Sequence, residues 1–143
     1  MATVELRFSA LPEHVRTARL VAAAVARRAG VDEAVLDEVR LAVGEACSRA
    51  VGLHQSGGIS EPVWVTLTEE EKLFSIEVGD EAPRSVPGDN ASGGGDVDVD
   101  AEEDEMGLAV ISGLVDDVEV TAGENGGSIR MSWPTVPPVT LAP

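Results

Sequence analysis

Apolar and polar residues alternate at the start of the chain and then recur with helical spacing. Val4, Leu6 and Phe8 alternate with charged residues, and this period of two predicts a half-buried strand. From Pro12 onwards apolar residues stand three or four positions apart, until Gly30 offers the left-handed conformation that ends many helices. The chain is therefore predicted to open with a strand and a first helix.

A second, longer helix is predicted to follow Asp32, whose carboxylate can cap its first turn. The apolar residues of this segment form one continuous stripe that ends at about Leu53. The stripe consists of Val35, Val39, Val43, Ala46 and Ala50. Because this helix also carries candidate site residues, we expect it to be central to the function.

Two short runs of alternating apolar and polar residues come next. They cover residues 63–68 and 74–78, and the acidic turn at 69–72 between them predicts a β-hairpin. A glycine turn at Gly57 and Gly58 separates this hairpin from the preceding helix. Helical spacing thus gives way to strand spacing at this point in the chain.

The last part of the chain again predicts a helix and then a hairpin. Apolar residues between 108 and 115 have helical spacing, and the segments 118–120 and 129–131 predict two strands around a turn at Asn125 and Gly126. The predicted order is strand, two helices, two strands, helix and two strands. This order is typical of an α+β fold with two layers, in which a mostly antiparallel sheet of about five strands carries three helices on one face.

No regular pattern is present between residues 83 and 105, which are rich in Pro, Gly, Ser and Asp. A loop of this length inside a compact domain is usually functional or disordered, so we predict a flexible acidic lid here. Residues 135–143 are predicted to be a Pro-rich tail. Residues 1–134 would then form one domain, which is large enough to fold alone.

The net charge of −16, from 10 basic and 26 acidic side chains, limits what the protein can bind. Such a charge repels phosphate backbones and anionic lipids, so we expect neither direct nucleic-acid binding nor membrane binding. It would attract a basic protein partner, although solubility alone explains most of these charges equally well. No apolar run is as long as a membrane helix and the chain does not start like a signal peptide, so we expect a cytoplasmic protein.

The sequence contains one cysteine, Cys47, and two histidines, His14 and His54. Their spacing is not that of a metal site, so we predict none. Cys47 lies on the long helix and is expected to be a packing residue, not a reactive thiol. Trp64 and Trp133 stand at strand positions and are expected in the core or on a sheet face.

Four segments of the chain together resemble the Bergerat-fold ATPases, the family shared by histidine kinases, gyrase and Hsp90. The resemblance is to the small branch of anti-sigma factor serine kinases, and it covers nearly the whole domain. In chain order the segments are 16–19 in the first helix, 41–50 in the second, 76–80 at the end of a strand, and 107–111 with 114–119. No single segment is specific, but four in this order and spacing are not expected by chance.

In that family a glutamate on the long helix polarises the attacking hydroxyl or water, and an asparagine four residues later binds the Mg²⁺ that bridges the phosphates. Glu45 matches the glutamate and is the candidate general base, but Arg49 stands in place of the asparagine. An arginine has no lone pair to offer a metal, so we expect Mg²⁺ not to be bound. Arg49 either pairs with Glu45 and closes the metal site, or contacts a phosphate in place of Mg²⁺. An exposed helix salt bridge without function is the third alternative.

The adenine-binding motif of the family runs Asp-x-Gly-x-Gly. Asp80 matches the carboxylate that accepts from the adenine amino group, whereas Ala82 and Arg84 stand at the glycine positions. The Cβ of Ala82 and the Arg84 side chain would crowd the purine, and Pro83 stiffens the turn. ATP binding is therefore expected to be weak or lost. The alternative that Asp80 only caps or breaks the end of the strand is as well supported as an adenine contact.

A third motif, Gly-x-Gly before the last helix, presents backbone N–H groups to the phosphates in the family. Only its second glycine, Gly107, is present here. The acidic residues between 93 and 105 would oppose phosphate binding where the lid closes. The degenerate ATP site that the resemblance implies thus comprises Arg49, Asp80, Ala82 and Gly107.

The resemblance implies three alternative functions. The first is an anti-sigma factor that holds a sigma factor inactive and is released by a STAS-type anti-anti-sigma partner. The second is an active serine kinase that phosphorylates the STAS protein with ATP and Mg²⁺, and the third is a domain that binds a STAS partner without any sigma factor. We favour the first, because binding surfaces depend on the exposed faces of a fold and can persist after catalysis is lost. Family members are commonly homodimers, so a homodimer is expected as well.

Overall fold

The structure is a computed structural model that describes residues 2–83 and 108–135 of the 143-residue chain. The predicted first strand and first helix are confirmed, as β1 over Ala2–Phe8 and α1 over Pro12–Ala29. Gly30 ends α1 in the left-handed conformation, with φ of 100°. The bounds of α1 are therefore determined by a proline in its first turn and by a left-handed glycine after its last turn.

The second helix starts later than predicted and continues beyond its apolar stripe. Asp32 accepts a hydrogen bond from the backbone of a short 3-10 turn, Glu33–Val35, which leads into α2, Leu36–Gly57. The apolar stripe ends at about Leu53 as predicted, and the helix continues beyond it until Gly58 takes up a φ of 64° at the predicted glycine turn. The additional turn brings the end of α2 close to the end of the sheet, where the candidate site lies.

Five antiparallel strands form one open sheet in the order β1-β2-β3-β5-β4. The strands after β1 are β2 over Val63–Glu70, β3 over Leu73–Asp80, β4 over Asp117–Gly123 and β5 over Gly126–Pro134. Both predicted hairpins are confirmed. The turn of the second one lies one residue earlier than predicted, at Glu124 and Asn125, so that Gly126 is already paired in β5.

The core lies between the helices and one face of the sheet. Residues 108–114 form the third helix, α3, whose Ile111 is fully buried. On the sheet, buried side chains meet as cross-strand pairs such as Val65 with Val78 and Ile76 with Met131. The predicted α+β class, with five antiparallel strands and three helices, is confirmed. In the part of the chain that the structure describes, none of the helices is long and apolar enough to cross a bilayer.

Candidate functional site

One buried side chain, His54, joins the end of α2 to the end of β3. The ring is fully buried, with Nδ1 2.9 Å from the carbonyl oxygen of Glu61 and Nε2 2.8 Å from the backbone nitrogen of Glu81. Because a backbone N–H can only donate, Nε2 is the acceptor in its bond, and the ring proton lies on Nδ1, which donates to Glu61. The imidazole is thus neutral and uses both nitrogens.

Sequence reasoning missed His54 as a site residue. A signal for it was present, because Val43, Cys47, Ala50 and His54 stand four, three and four residues apart on the apolar stripe of α2. A histidine on such a stripe is buried and needs hydrogen-bond partners. The sequence does not show which groups those partners are, since Glu81 is 27 residues further along the chain.

Asp80, the predicted adenine-binding carboxylate, is the last residue of β3 and is only 4% exposed. Its Oδ1 accepts a hydrogen bond of 2.9 Å from the N–H of Ala82, so the carboxylate closes a turn of its own backbone. Ala82 is itself only 5% exposed. Asp80 therefore caps the end of the strand, which is one of the two alternatives that the sequence left open. Because a carboxylate accepts several hydrogen bonds, this role is compatible with an adenine contact.

The β4–β5 turn supports the same segment from the side of the sheet. Asp80 pairs with Gly127 in the sheet, and Gly126 lies so close to the carbonyl of Asp80 that a Cβ at Gly126 would overlap it. Gly126 also has a φ of 120°, which favours glycine. Residues 80–82, which we name the 80–82 segment, are thus fixed by His54 on one side and by β5 on the other.

Glu45 and Arg49 are half-buried on α2, on the flank turned away from α1. The other flank faces α1, because the Arg19 side chain lies against Gly44. At 3.6 residues per turn, Glu45 and Arg49 are about 100° and 140° around the helix from Gly44. Along the helix axis they precede His54 by about 13.5 Å and 7.5 Å. Arg49 is therefore nearer than Glu45 to the level of the 80–82 segment.

The predicted ATP site is only partly within the described residues. Arg49, Asp80 and Ala82 belong to α2 and to the end of β3, and α2 packs against β3. Gly107 lies outside the described residues, as do Arg84 and the acidic stretch of the predicted lid. That these residues form one nucleotide site with Glu45 therefore stays a prediction.

The side chains of this region fit an adenine better than they fit Mg²⁺. Asp80 can accept from an exocyclic amino group, whereas Mg²⁺ requires oxygen ligands and Arg49 has only donors to offer. Within residues 2–83 and 108–135, no group of three or more His, Cys, Asp or Glu side chains could hold a metal ion. Arg49 therefore offers no ligand to Mg²⁺ at the position where the family has an asparagine.

Cys47 is a packing residue, as predicted. The side chain is fully buried, and burial raises the pKa of its thiol from 9.0 to about 12. A thiolate is the nucleophilic form of cysteine, so a thiol that stays protonated in the core is inert. The tryptophan prediction is also confirmed, because Trp133 packs in the core beside Phe74 while Trp64 is half-buried on the opposite sheet face.

The sheet is open and antiparallel, and a long helix packs on the strand that ends in a buried aspartate. This architecture fits the Bergerat fold expected from the sequence. The sequence matches the histidine kinase-like ATPase domain family over residues 8–133. This chain therefore belongs to the histidine kinase-like ATPase domain family.

The fold is also similar to that in a crystal structure of the RsbU and RsbW domains of Rv1364c from Mycobacterium tuberculosis, with a TM-score of 0.67 and 16% sequence identity. The similarity covers 92% of this chain and 31% of that one, so this chain spans about a third of the length of the chain it matches. At this identity the likeness shows the fold alone. No curated protein matches the sequence significantly.

Proposed function

We propose that this protein is an anti-sigma factor, which holds a bacterial sigma factor inactive and is released by a STAS-type anti-anti-sigma partner. The observation that carries the proposal is a histidine kinase-like ATPase domain with Arg49 in place of the metal-binding asparagine. A domain that retains its fold but not its metal ligand keeps its surfaces for binding. The fold similarity to a chain that contains an RsbW domain supports the same branch of the family.

In this proposal Arg49, Asp80, Ala82 and Gly107 are the remnant of an ATP site, and Glu45 is its former general base. The Oδ1 of Asp80 already accepts from the N–H of Ala82, and the buried methyl group of Ala82 occupies the first glycine position. The methyl group lowers the affinity for adenine, because it occupies space that a glycine leaves open to the ring. The partner is then bound and released without ATP turnover.

The outer side of the α1–α2 pair offers a surface for a protein partner. Leu20 on α1 and Leu41 on α2 are 59% and 54% exposed, the largest exposures among the big apolar side chains in the described ranges. The Arg19 side chain lies against Gly44, so the residue next to Leu20 contacts α2 about one turn from Leu41. In this proposal these two leucines contact the protein partner.

Capture of partners from the native cytoplasm tests the proposal. A tagged chain is expected to retain a sigma factor and a STAS protein, which mass spectrometry identifies. The double variant Leu20→Asp/Leu41→Asp should lose the sigma factor, while Val120→Asp is the matched control, because Val120 is 46% exposed on β4 at the other edge of the sheet from β1. Circular dichroism verifies that all variants are folded.

Transcription in vitro then tests the activity directly. The purified chain should inhibit transcription by the captured sigma factor, and the STAS protein should restore it. Added salt should slow the association, because the net charge of −16 attracts a basic partner through a screened field. A chain that retains the sigma factor but leaves transcription unchanged would contradict the proposal.

The second candidate, an active serine kinase, is favoured by membership of an ATPase family. It is tested with γ-labelled ATP, the captured STAS protein, and Mg²⁺ or EDTA. Stoichiometric, Mg²⁺-dependent transfer to a serine would favour the kinase over the non-catalytic switch. Capture of a STAS protein without any sigma factor would instead favour the third alternative, a domain that binds STAS proteins alone.

A homodimer and a cytoplasmic location complete the proposal. Sedimentation equilibrium of the purified chain measures the first, and fractionation of native cells the second. A monomer at the concentrations used for partner capture would remove the homodimer from the proposal. It would leave the anti-sigma activity to be judged by the transcription experiment.

A further inference from the structure

We propose that His54 is a positioning residue, which sets the 80–82 segment against α2. The inference rests on the proposed function in one respect, namely that this segment is the adenine side of the former nucleotide site. His54 acts through the backbone of Glu81, the residue after Asp80, and not through contact with a ligand.

The place of Glu81 in the sheet explains why a partner from α2 is needed. The pairing of β2 with β3 ends at Trp64 and Gly79, and the pairing of β3 with β5 ends at Asp80 and Gly127. The N–H of Glu81 is thus the first backbone donor beyond both ladders. His54 Nε2 accepts from this N–H at 2.8 Å, so the imidazole continues the hydrogen bonding of the strand where the sheet stops.

Filling the core does not require a histidine at this position. His54 belongs to the buried face of α2 together with Val43 and Ala50, where an apolar side chain would pack without any polar atom to satisfy. The imidazole instead makes hydrogen bonds at both nitrogens, to backbone groups on either side of the β2–β3 hairpin, at Glu61 and Glu81. These bonds fix the separation between α2 and two chain segments.

The two amides that follow Asp80 therefore have defined acceptors. The N–H of Glu81 bonds to His54, and the N–H of Ala82 bonds to Asp80 Oδ1. Residues 80–82 consequently move as one unit with the C-terminal half of α2, which also carries Arg49. A ligand that moves the backbone of the 80–82 segment is therefore expected to shift His54 as well.

Amide hydrogen exchange measured by NMR tests this role in the full chain. In His54→Phe, exchange at Glu81 should become about 10-fold faster relative to core amides such as Val65, because one buried hydrogen bond is lost. In His54→Gln the side-chain oxygen can accept from Glu81, and most of the protection should return. The matched control is His14→Gln on α1, where the histidine packs edge-on against Phe8 and the change should leave Glu81 unaffected.

An unchanged relative exchange rate at Glu81 in His54→Phe would overturn the proposal. If that variant does not fold, ¹⁵N NMR of the unmodified protein decides instead. We expect Nε2 to carry no proton and to show scalar coupling to the Glu81 nitrogen across the hydrogen bond. A proton on Nε2 would show that the bond is absent and would equally overturn it.

Titration with ATP separates this proposal from the proposed function. Shifts at the Asp80 and Ala82 amides should be accompanied by shifts of the His54 ring nitrogens. Shifts of the two amides with no change at the ring would overturn the positioning role. If ATP at millimolar concentration shifts none of these signals, the nucleotide origin of the site fails, and the exchange rates alone then decide whether His54 positions the segment.

Discussion

The indole of Trp64 lies directly on Gly79, its cross-strand neighbour on the sheet face opposite the helices. A Cβ at Gly79 would overlap the ring, so a glycine is required beneath the indole. An aromatic side chain above a glycine restores the packing that the glycine lacks in a strand. Because Gly79 directly precedes Asp80, this contact also supports the end of β3 at the candidate site.

Gly79→Ala is expected to lower the free energy of unfolding by about 1–3 kcal/mol, the usual cost of overpacking a site without free volume. The alanine methyl group would displace the Trp64 ring, because ring atoms occupy its place. Urea unfolding followed by far-ultraviolet circular dichroism measures the loss. Tryptophan fluorescence is not suitable here, because the substitution itself moves the fluorophore.

Gly52→Ala is the matched control for that substitution. Gly52 is exposed on α2, and a Cβ there meets no atom within 4 Å. The free energy of unfolding should rise by about 0.5–1 kcal/mol, because alanine loses less conformational freedom than glycine in a helix. A similar loss of stability in both variants would show that the Trp64 contact is not the cause.

Gly126→Ala should destabilise the protein by about 3 kcal/mol or more, since it combines a strained φ with an overlap on the Asp80 carbonyl. Gly58→Ala separates the two effects. Gly58 has a φ of 64° but open space around its Cβ position, so only the left-handed strain of about 1–2 kcal/mol is expected. If urea unfolding gives the same loss of unfolding free energy for Gly126→Ala and Gly58→Ala, the close packing of the turn on Asp80 is contradicted.

The elements that local chemistry determines could be predicted from the sequence. The bounds of α1 follow from Pro12 and Gly30, and the strands follow from alternation against one buried sheet face. The end of α2 could not be predicted from the apolar stripe alone. Polar residues after Leu53 weaken the stripe, while the helix continues to the left-handed glycine at Gly58.

The parts of the site that could not be predicted depend on contacts between distant residues. The turn of the second hairpin is shifted by one residue relative to the Asn-Gly pair, so that Gly126 belongs to the strand. Gly126 packs on the carbonyl of Asp80. The hydrogen bond from Glu81 to His54 likewise joins residues that no local pattern connects. Family resemblance indicated Asp80 and Ala82, but it gave no indication of the hydrogen bond between them.

The substitutions Arg49→Asn and Ala82→Gly test whether these two positions limit nucleotide binding, as proposed above. Arg49→Asn introduces an amide oxygen, a ligand suited to Mg²⁺. Ala82→Gly removes a buried methyl group from the proposed adenine side. The double variant is expected to bind Mg·ATP at least about tenfold more tightly than the unmodified chain, a gain of about 1.4 kcal/mol. Isothermal titration calorimetry measures the affinities.

The single variants with EDTA in place of Mg²⁺ provide the control. The gain from Arg49→Asn should vanish in EDTA, whereas the gain from Ala82→Gly should persist, because adenine recognition needs no metal. Affinity that is unchanged in the double variant would show that neither position limits binding. The acidic lid predicted at 83–105 or the shape of the pocket would then be the cause.

The buried thiol of Cys47 makes stability depend on alkaline pH. Burial raises its pKa from 9.0 to about 12. Below pH 9 the thiol is protonated in both the folded and the unfolded chain, and its contribution to stability is complete. Between pH 9 and about 12 only the unfolded chain loses this proton, so the free energy of unfolding falls as pH rises, by up to about 1.4 kcal/mol per pH unit.

Cys47→Ala isolates this effect, because alanine does not titrate. The difference in free energy of unfolding between the unmodified chain and the variant should shrink by about 1 kcal/mol from pH 8 to pH 10, as measured by urea unfolding under reducing conditions. Other side chains contribute little titration in this pH range, since the sequence has no tyrosine and a single lysine, Lys72. A difference in unfolding free energy that stays constant over this pH range would mean that the thiol ionises as readily in the folded protein as in the unfolded chain. The α2 stripe around Cys47 would then be open to water.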